Sequence, residues 1–228
     1  MTLVGITGGI GTGKSTVSML LQQRGWVVYS SDVTAKEIMA VDATVRGELA
    51  QAFGEHILTP NGVNAPLLAS LVFGPLPEHE RNLDTLNGIV HPHVLDVHMK
   101  AIEAEAQKGT PVVAIESALI YEIDLEDGFD YIIVVDAPAE LCIDRVIARS
   151  GISKDEVQRR IDKQMPMEQK RGLADFVIDN SSTPEALAQA TSTIAMIIEA
   201  MGAASSEQRV ANTEEIVISS YDSSVMNI

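Results

Sequence analysis

Gly8-Gly9-Ile10-Gly11-Thr12-Gly13-Lys14-Ser15 is a complete G-x-x-x-x-G-K-[ST] stretch, followed directly by Thr16, and its reading decides the fold. Outward from it, apolar Leu3-Val4-Gly5-Ile6-Thr7 reads as a buried parallel strand, and Ser15-Thr16-Val17-Ser18-Met19-Leu20-Leu21 begins a helix. Strand, glycine loop and helix start in that order make a phosphate cradle. The glycines let the backbone curl so that successive N–H groups point inward, and the helix N-terminus adds about half a positive charge. Gly9, Ile10, Gly11, Thr12, Gly13, Lys14, Ser15 and Thr16 are therefore expected to bind ATP. Lys14 reaches the β/γ-phosphates in such a loop, and Ser15 ligates Mg²⁺.

Beyond the first helix, Trp26-Val27-Val28-Tyr29 reads as a short strand ending in Ser30-Ser31-Asp32. Residues 33–110 carry little strand signal and read as a helical insertion, broken at Thr59-Pro60-Asn61-Gly62, Gly74-Pro75-Leu76-Pro77 and His91-Pro92. Continuous apolar runs return at Pro111-Val112-Val113-Ala114-Ile115, ending in Glu116, and at Tyr131 to Asp136, as suits parallel strands covered on both faces. Pro138 opens a helix through Arg149, Phe176-Val177-Ile178-Asp179-Asn180 is a last strand, and Thr183-Pro184-Glu185 starts a helix reaching about Gly202. Strands alternating with helices predict an α/β fold with a doubly wound parallel sheet. The core is expected from 1–32 and 111–202, with a helical lid over 140–175 and a disordered tail over 203–228.

Composition narrows the partners. The chain has 228 residues, enough for an ordinary hydrophobic core, and its single Cys142 can form no internal disulfide. Absence of a secretion-type N-terminus points to a cytoplasmic protein, and no uninterrupted apolar run of membrane-spanning length is present. A net charge of −16 argues against nucleic acid. Yet residues 145–171 hold eight of the sixteen basic residues against four acids, a local +4. That segment is either a solvated helical face with i,i+4 pairs or an arginine-rich lid closing on ATP phosphates.

The guanine-reading N-K-x-D of GTPases and the L-S-G-G-Q of transporter ATPases are both missing, which favours a small-molecule kinase. Such an enzyme positions an acceptor hydroxyl in line with the γ-phosphate and orients it with a carboxylate. Asp32 follows the second strand, which in this fold class often neighbours the first, and is the leading candidate; the alternative is that it caps the next helix. Glu116 ends the third strand, where an acid can hold a Mg²⁺-bound water or simply meet solvent. His91, His93 and His98 do not suit an oxygen-seeking ion and are read as structural or substrate-contacting.

These residues also resemble a family. Gly5 to Val17 is similar to the G-L-T-G-G-I-G-S-G-K-S-T-V loop of dephospho-coenzyme A kinases. Tyr29 to Lys36 aligns with that family's I-D-A-D-x-x-A-R, Leu86 to Pro92 with L-x-x-I-x-H-P, and Glu116 to Glu122 with D-x-P-L-L-F/Y-E. Gln164-Met165-Pro166-Met167-Glu168-Gln169-Lys170-Arg171 and Ala174 to Asn180 extend the match to about residue 200. Ser30, Ala65, Glu116 and Ala118 depart from the family pattern.

The resemblance implies that Asp32 serves the ribose 3′-hydroxyl of dephospho-CoA, with His91, Pro92, Leu119 and Tyr121 receiving the acceptor. It further implies that Arg145 and Arg149 belong to the lid over ATP and that Asn180 lies near its adenine. The expected enzyme is a monomer or weak homo-oligomer, with ATP and dephospho-CoA as its partners. A kinase for another small acceptor, or a nucleotide-binding regulator without transfer activity, are the alternatives.

Overall fold

A computed structural model describes residues 1–225, with side chains through residue 204. Its core is a five-stranded parallel sheet formed by β1 (Thr2–Gly8), β2 (Val27–Ser30), β5 (Val112–Glu116), β6 (Tyr131–Asp136) and β7 (Phe176–Asp179). Their order across the sheet is β2-β5-β1-β6-β7. The second strand therefore does not neighbour the first, contrary to the sequence expectation. β5 lies between them, pairing Thr2 to Ile6 of β1 on one side and Val27 to Ser30 of β2 on the other. Burial explains the order: all five residues of β5 are buried, as a central strand requires, whereas β2 is only half-buried throughout and suits the edge.

Helices cover both faces. α1 (Lys14–Gln23) and α9 (Pro184–Val225) pack on one face, where Val17, Leu21, Leu187, Ala195 and Ile198 meet Val4, Ile6, Ala114 and Ile133 of the sheet. Pro184–Ala204 of α9 is long and apolar enough, by length and composition, to cross a membrane, with a mean hydropathy of 1.2. One side of it packs on the sheet through Leu187, Ala195 and Ile198, and Glu199 bonds Arg24 and the Trp26 indole. Of the tail expected to be disordered, residues 203–225 continue this helix and residues 226–228 lie outside the described residues. Past Gly202 the segment has neither glycine nor proline before Val225, so it lacks the two residue types that most oppose a helix.

Between β2 and β5 the chain forms α2 (Ser31–Val41), α3 (Ala43–Phe53), a small hairpin of β3 (Leu58–Thr59) and β4 (Gly62–Val63), α4 (Ala65–Val72) and α5 (Pro77–Lys108). This insertion has its own apolar cluster of Ile38, Val45, Leu49, Ile57, Val90 and Val94. The predicted break at His91-Pro92 is absent, because α5 runs unbroken through Pro92. The carbonyl that Pro92 leaves without its helical donor is that of Gly88, which is exposed and can turn to water. Buried Val90, Val94 and His98 hold the helix together across that point.

The chain then forms α6 (Ala139–Ser150), α7 (Lys154–Asp162) and α8 (Met167–Leu173) before β7. Ser153 caps α7 by accepting from the Glu156 amide. Ile143, Val146 and Val157 of this region pack with Ile10, so the lid base rests on the glycine loop itself.

Candidate active site

The loop between β1 and α1 needs glycine at points where no side chain fits. Gly13 precedes α1 with φ 99°, and a Cβ there would collide with the Asn180 side-chain amide. Gly11 has φ 80°, and a Cβ would run into the Cys142 carbonyl. Asn180 is a buttress: its Nδ2 donates to the Thr12 carbonyl at 2.7 Å, while its own carbonyl accepts from Arg145 Nη2 at 3.0 Å. It lies behind the loop and lines neither cavity described below.

A cleft of about 640 Å³ opens over the loop, lined by Ile10, Gly11, Gly13, Lys14, Ser15 and Thr16. Gly9 and Thr12 face inward instead: the Thr12 hydroxyl donates to the Gly9 carbonyl at 3.0 Å, and the Gly9 amide donates to Met167 Sδ at 3.1 Å. The far wall is cationic, with Arg145, Arg149, Arg159, Arg160 and Lys163. Arg145 Nη1 is buried with no hydrogen-bond partner among the described residues, a donor suited to an anionic ligand. The rest of the basic segment is spent elsewhere. Lys170 pairs with Glu122, Arg171 with Asp136 and Lys154 with Glu140. Both readings of the segment thus hold in part, since Arg160 makes the i,i+4 pair with Glu156 and still borders the cleft, its guanidinium 4.1 Å from the Phe73 ring centroid.

Lys14 is buried, and its ammonium donates to the carbonyls of Gly8 at 3.0 Å and Gly9 at 2.9 Å. Burial pulls its pKa down, while the carboxylates of Glu116 and Asp32 act in the opposite sense. Glu116 is also buried, and burial raises its pKa against the lowering influence of Lys14 and a hydrogen bond from Ser30. Ser30 and Glu116 face each other across the β2–β5 pairing, so sheet register alone brings two of the departures from the family pattern together. Asp32 sits in the first turn of α2, where the helix dipole favours its charge; Ser30, not Asp32, occupies the cap position. Asp32 is exposed to the cleft beside these groups.

A second cavity of about 310 Å³ runs under the insertion between α2, α5 and the segment after β5. It is mostly apolar, with Met39, Leu86, Val94, Ile102, Ile120 and Phe129 in its wall, and holds no lysine or arginine. Asp32, Asn87 and Leu119 line both cavities and form the partition between them. His91 lines the apolar cavity; burial lowers its pKa. Pro92 is exposed and lines neither cavity. Tyr121, expected at the acceptor, is turned into the core with Ile120, Ile132 and Val134, and burial pushes its hydroxyl pKa up to about 12. It ends up there because the chain after β5 turns helically, the Ile123 amide donating to the Leu119 carbonyl at 3.2 Å, and two residues along such a turn point to nearly opposite sides.

The histidines do not converge. His98 bonds the Thr34 hydroxyl at 3.1 Å, and His93 meets Glu48 at 3.2 Å. Among the described residues no group of three or more His, Cys, Asp or Glu could hold a metal ion. What the cleft offers is oxygen: the Ser15 hydroxyl and the carboxylates of Asp32 and Glu116. That donor set suits Mg²⁺ arriving with nucleotide phosphates and keeping most of its waters. Sequence reasoning gave no role to Asn87 or Gln164, although both stand in the quoted motifs, and counted Lys170 only among the basic residues of the lid segment.

Comparison with known proteins agrees with this architecture. The sequence profile of the family described as dephospho-CoA kinase matches residues 2–185. The dephospho-CoA kinase of Thermobifida fusca is 38% identical over 188 residues, covering 82% of this chain and 91% of that one. That of Bacillus licheniformis is 39% identical over 185 residues, covering 80% and 90%. A crystal structure of a Thermus thermophilus protein superposes with a TM-score of 0.70 at 33% identity, covering 86% of this chain and 96% of that one. The Campylobacter jejuni dephospho-CoA kinase shares the fold, with a TM-score of 0.63 at 22% identity over 86% and 96% of the two chains.

Proposed function

We propose, because the chain belongs to the dephospho-CoA kinase family, that it transfers the γ-phosphate of ATP to the 3′-hydroxyl of dephospho-CoA, giving CoA and ADP. The observation that carries this reading is the position of Asp32 in the partition between a cationic cleft and an apolar pocket. A phosphoryl donor on one side and an alcohol on the other would meet at that carboxylate.

The loop amides and Lys14 hold the β- and γ-phosphates, and Arg145, Arg149, Arg159, Arg160 and Lys163 oppose their charge. Concentrating these cations is what allows a protein of net charge −16 to accept two anionic substrates. Asp32 accepts and orients the hydroxyl proton as the new oxygen–phosphorus bond forms and the bond to ADP breaks. His91, Asn87 and Leu119 border the acceptor. Ser15 and Glu116 would hold Mg²⁺, which supplies charge neutralisation at the phosphates. The enzyme acts in the cytoplasm as a monomer or weak homo-oligomer.

The test is an acceptor panel with Mg·ATP, reading ADP release and product by chromatography. Dephospho-CoA should give equimolar CoA and ADP. Preferred phosphorylation of a nucleoside monophosphate would reassign the acceptor. No acceptor-dependent ADP release would mark a protein that only binds nucleotide.

A further inference from the structure

Residues 164–171 form a brace between the two halves of the site. At one end the Ile10 amide donates to Gln164 Oε1 at 2.9 Å, and the Gly9 amide donates to Met167 Sδ, so both contacts fall on the phosphate loop. At the other end Lys170, which has no exposed side-chain surface, places its ammonium 2.7 Å from Glu122 Oε1 and donates to the Ala118 carbonyl at 2.8 Å. The same Glu122 oxygen accepts from the Met165 amide at 2.9 Å, which closes the brace on itself. Ala118 and Leu119 are wall residues of the phosphate cleft, and Leu119 belongs to the partition beside Asp32. Met165 and Met167 fill the space between, packed with Ile120 and Tyr121.

A buried ion pair is weak support for a fold, since well-packed apolar replacements are often as stable or more so. Stability alone therefore does not account for a lysine at a fully enclosed position. We propose that Lys170 is a positioning residue for phosphoryl transfer: it ties the Ala118-Leu119 wall to the segment that grips the phosphate loop and so fixes the acceptor relative to the γ-phosphate. On its acceptor side this rests on the function proposed above. Lys170 lines neither cavity; it acts through Ala118 and Glu122 on one side and through Gln164 and Met167 on the other.

The experiment compares the parent with Lys170→Met and with Lys170→Met/Glu122→Met, which removes the unpaired buried charge that the single change leaves. CoA formed, ADP released with and without dephospho-CoA, KM for ATP and melting temperature are measured for each. Transfer should fall about 10–100-fold, the scale of a misplacement of about an ångström. KM for ATP and acceptor-free ATP hydrolysis should stay at the parent's values, so that less CoA forms per ADP released. The double variant should regain the parent's melting temperature and not its transfer rate. If the single variant fails to fold, the double variant carries the test. Recovery of transfer together with melting temperature in the double variant, or equal loss of transfer and hydrolysis, overturns the proposal. A parent that makes no CoA overturns the acceptor reading and the proposal with it; a parent that makes CoA while the variants keep its CoA-to-ADP ratio overturns the proposal alone.

Discussion

The phosphate cleft and the apolar pocket share Asp32, Asn87 and Leu119, yet they are built in opposite ways. The cleft's floor comes from one contiguous stretch, Ile10 to Thr16, whose main-chain geometry is set by glycines and a helix start. The pocket exists only when α2, α5, the segment after β5 and Phe129 pack around it. Fixed anionic groups can be gripped by backbone amides written locally in the chain. An uncharged surface can be met only by side chains gathered from afar.

The sharpest way to break the contrast is at the partition. Asp32→Asn keeps the shape of both cavities and should slow transfer by about 10²–10⁴-fold, the range for a positioned acid–base group. Steady-state rates, together with titration of each substrate, check this; both affinities should remain. Unchanged turnover would mean that the two cavities meet somewhere other than at Asp32.

A more selective change fills the pocket while sparing the loop. Ala35 lines only the apolar cavity, and Ala35→Phe should cost about 1–2 kcal/mol of acceptor binding, raising KM for dephospho-CoA about tenfold. KM for ATP should not move, and a parallel rise in both would show that the cavities are not separate.

The smallest expected effect concerns Glu116 on the cleft side. Burial raises its pKa above the usual 4.5, so it takes up a proton at a higher pH than an exposed glutamate as the solution is acidified. The acid limb of kcat/KM should therefore begin above pH 4.5, and Glu116→Gln should flatten it. The sign for stability runs the other way. The folded state binds this proton more tightly than the unfolded one, so the penalty for burying the charge is full above the raised pKa and relaxes as pH falls through it. Melting curves of parent and Glu116→Gln between pH 4 and 7 check that sign.

What was legible in the sequence follows the same division. Lys14 and Ser15 could be put on the floor of a phosphate cleft because their surroundings are set within a few residues, and Asp32 at a strand end, but its neighbours Asn87, Glu116 and Leu119 come from distant segments. The edge position of β2 could not, because only the return of β5 from the insertion decides which strand fills the gap. Tyr121 was placed at the acceptor by resemblance, but its direction in the turn after β5 is set by packing against Ile132 and Val134, residues that local sequence does not bring to it. Pro92 was read as a break because local rules count its missing N–H and not the apolar contacts of Val90 and Val94 that carry α5 past it. Lys170 looked like part of a basic lid because charge counting cannot see Glu122 beside it.

The β2-β5-β1 order also bears on how the protein is made. Both neighbours of β1 in the sheet, β5 and β6, are encoded after residue 111, and among the described residues β2 has β5 as its sole sheet partner. During synthesis on the ribosome the first two strands must wait with unpaired edges until the whole insertion has emerged. Open edges of this kind invite pairing between nascent chains. Early folding of the insertion around its own apolar cluster would hold β2 at its base, ready for β5 to slide in beside it.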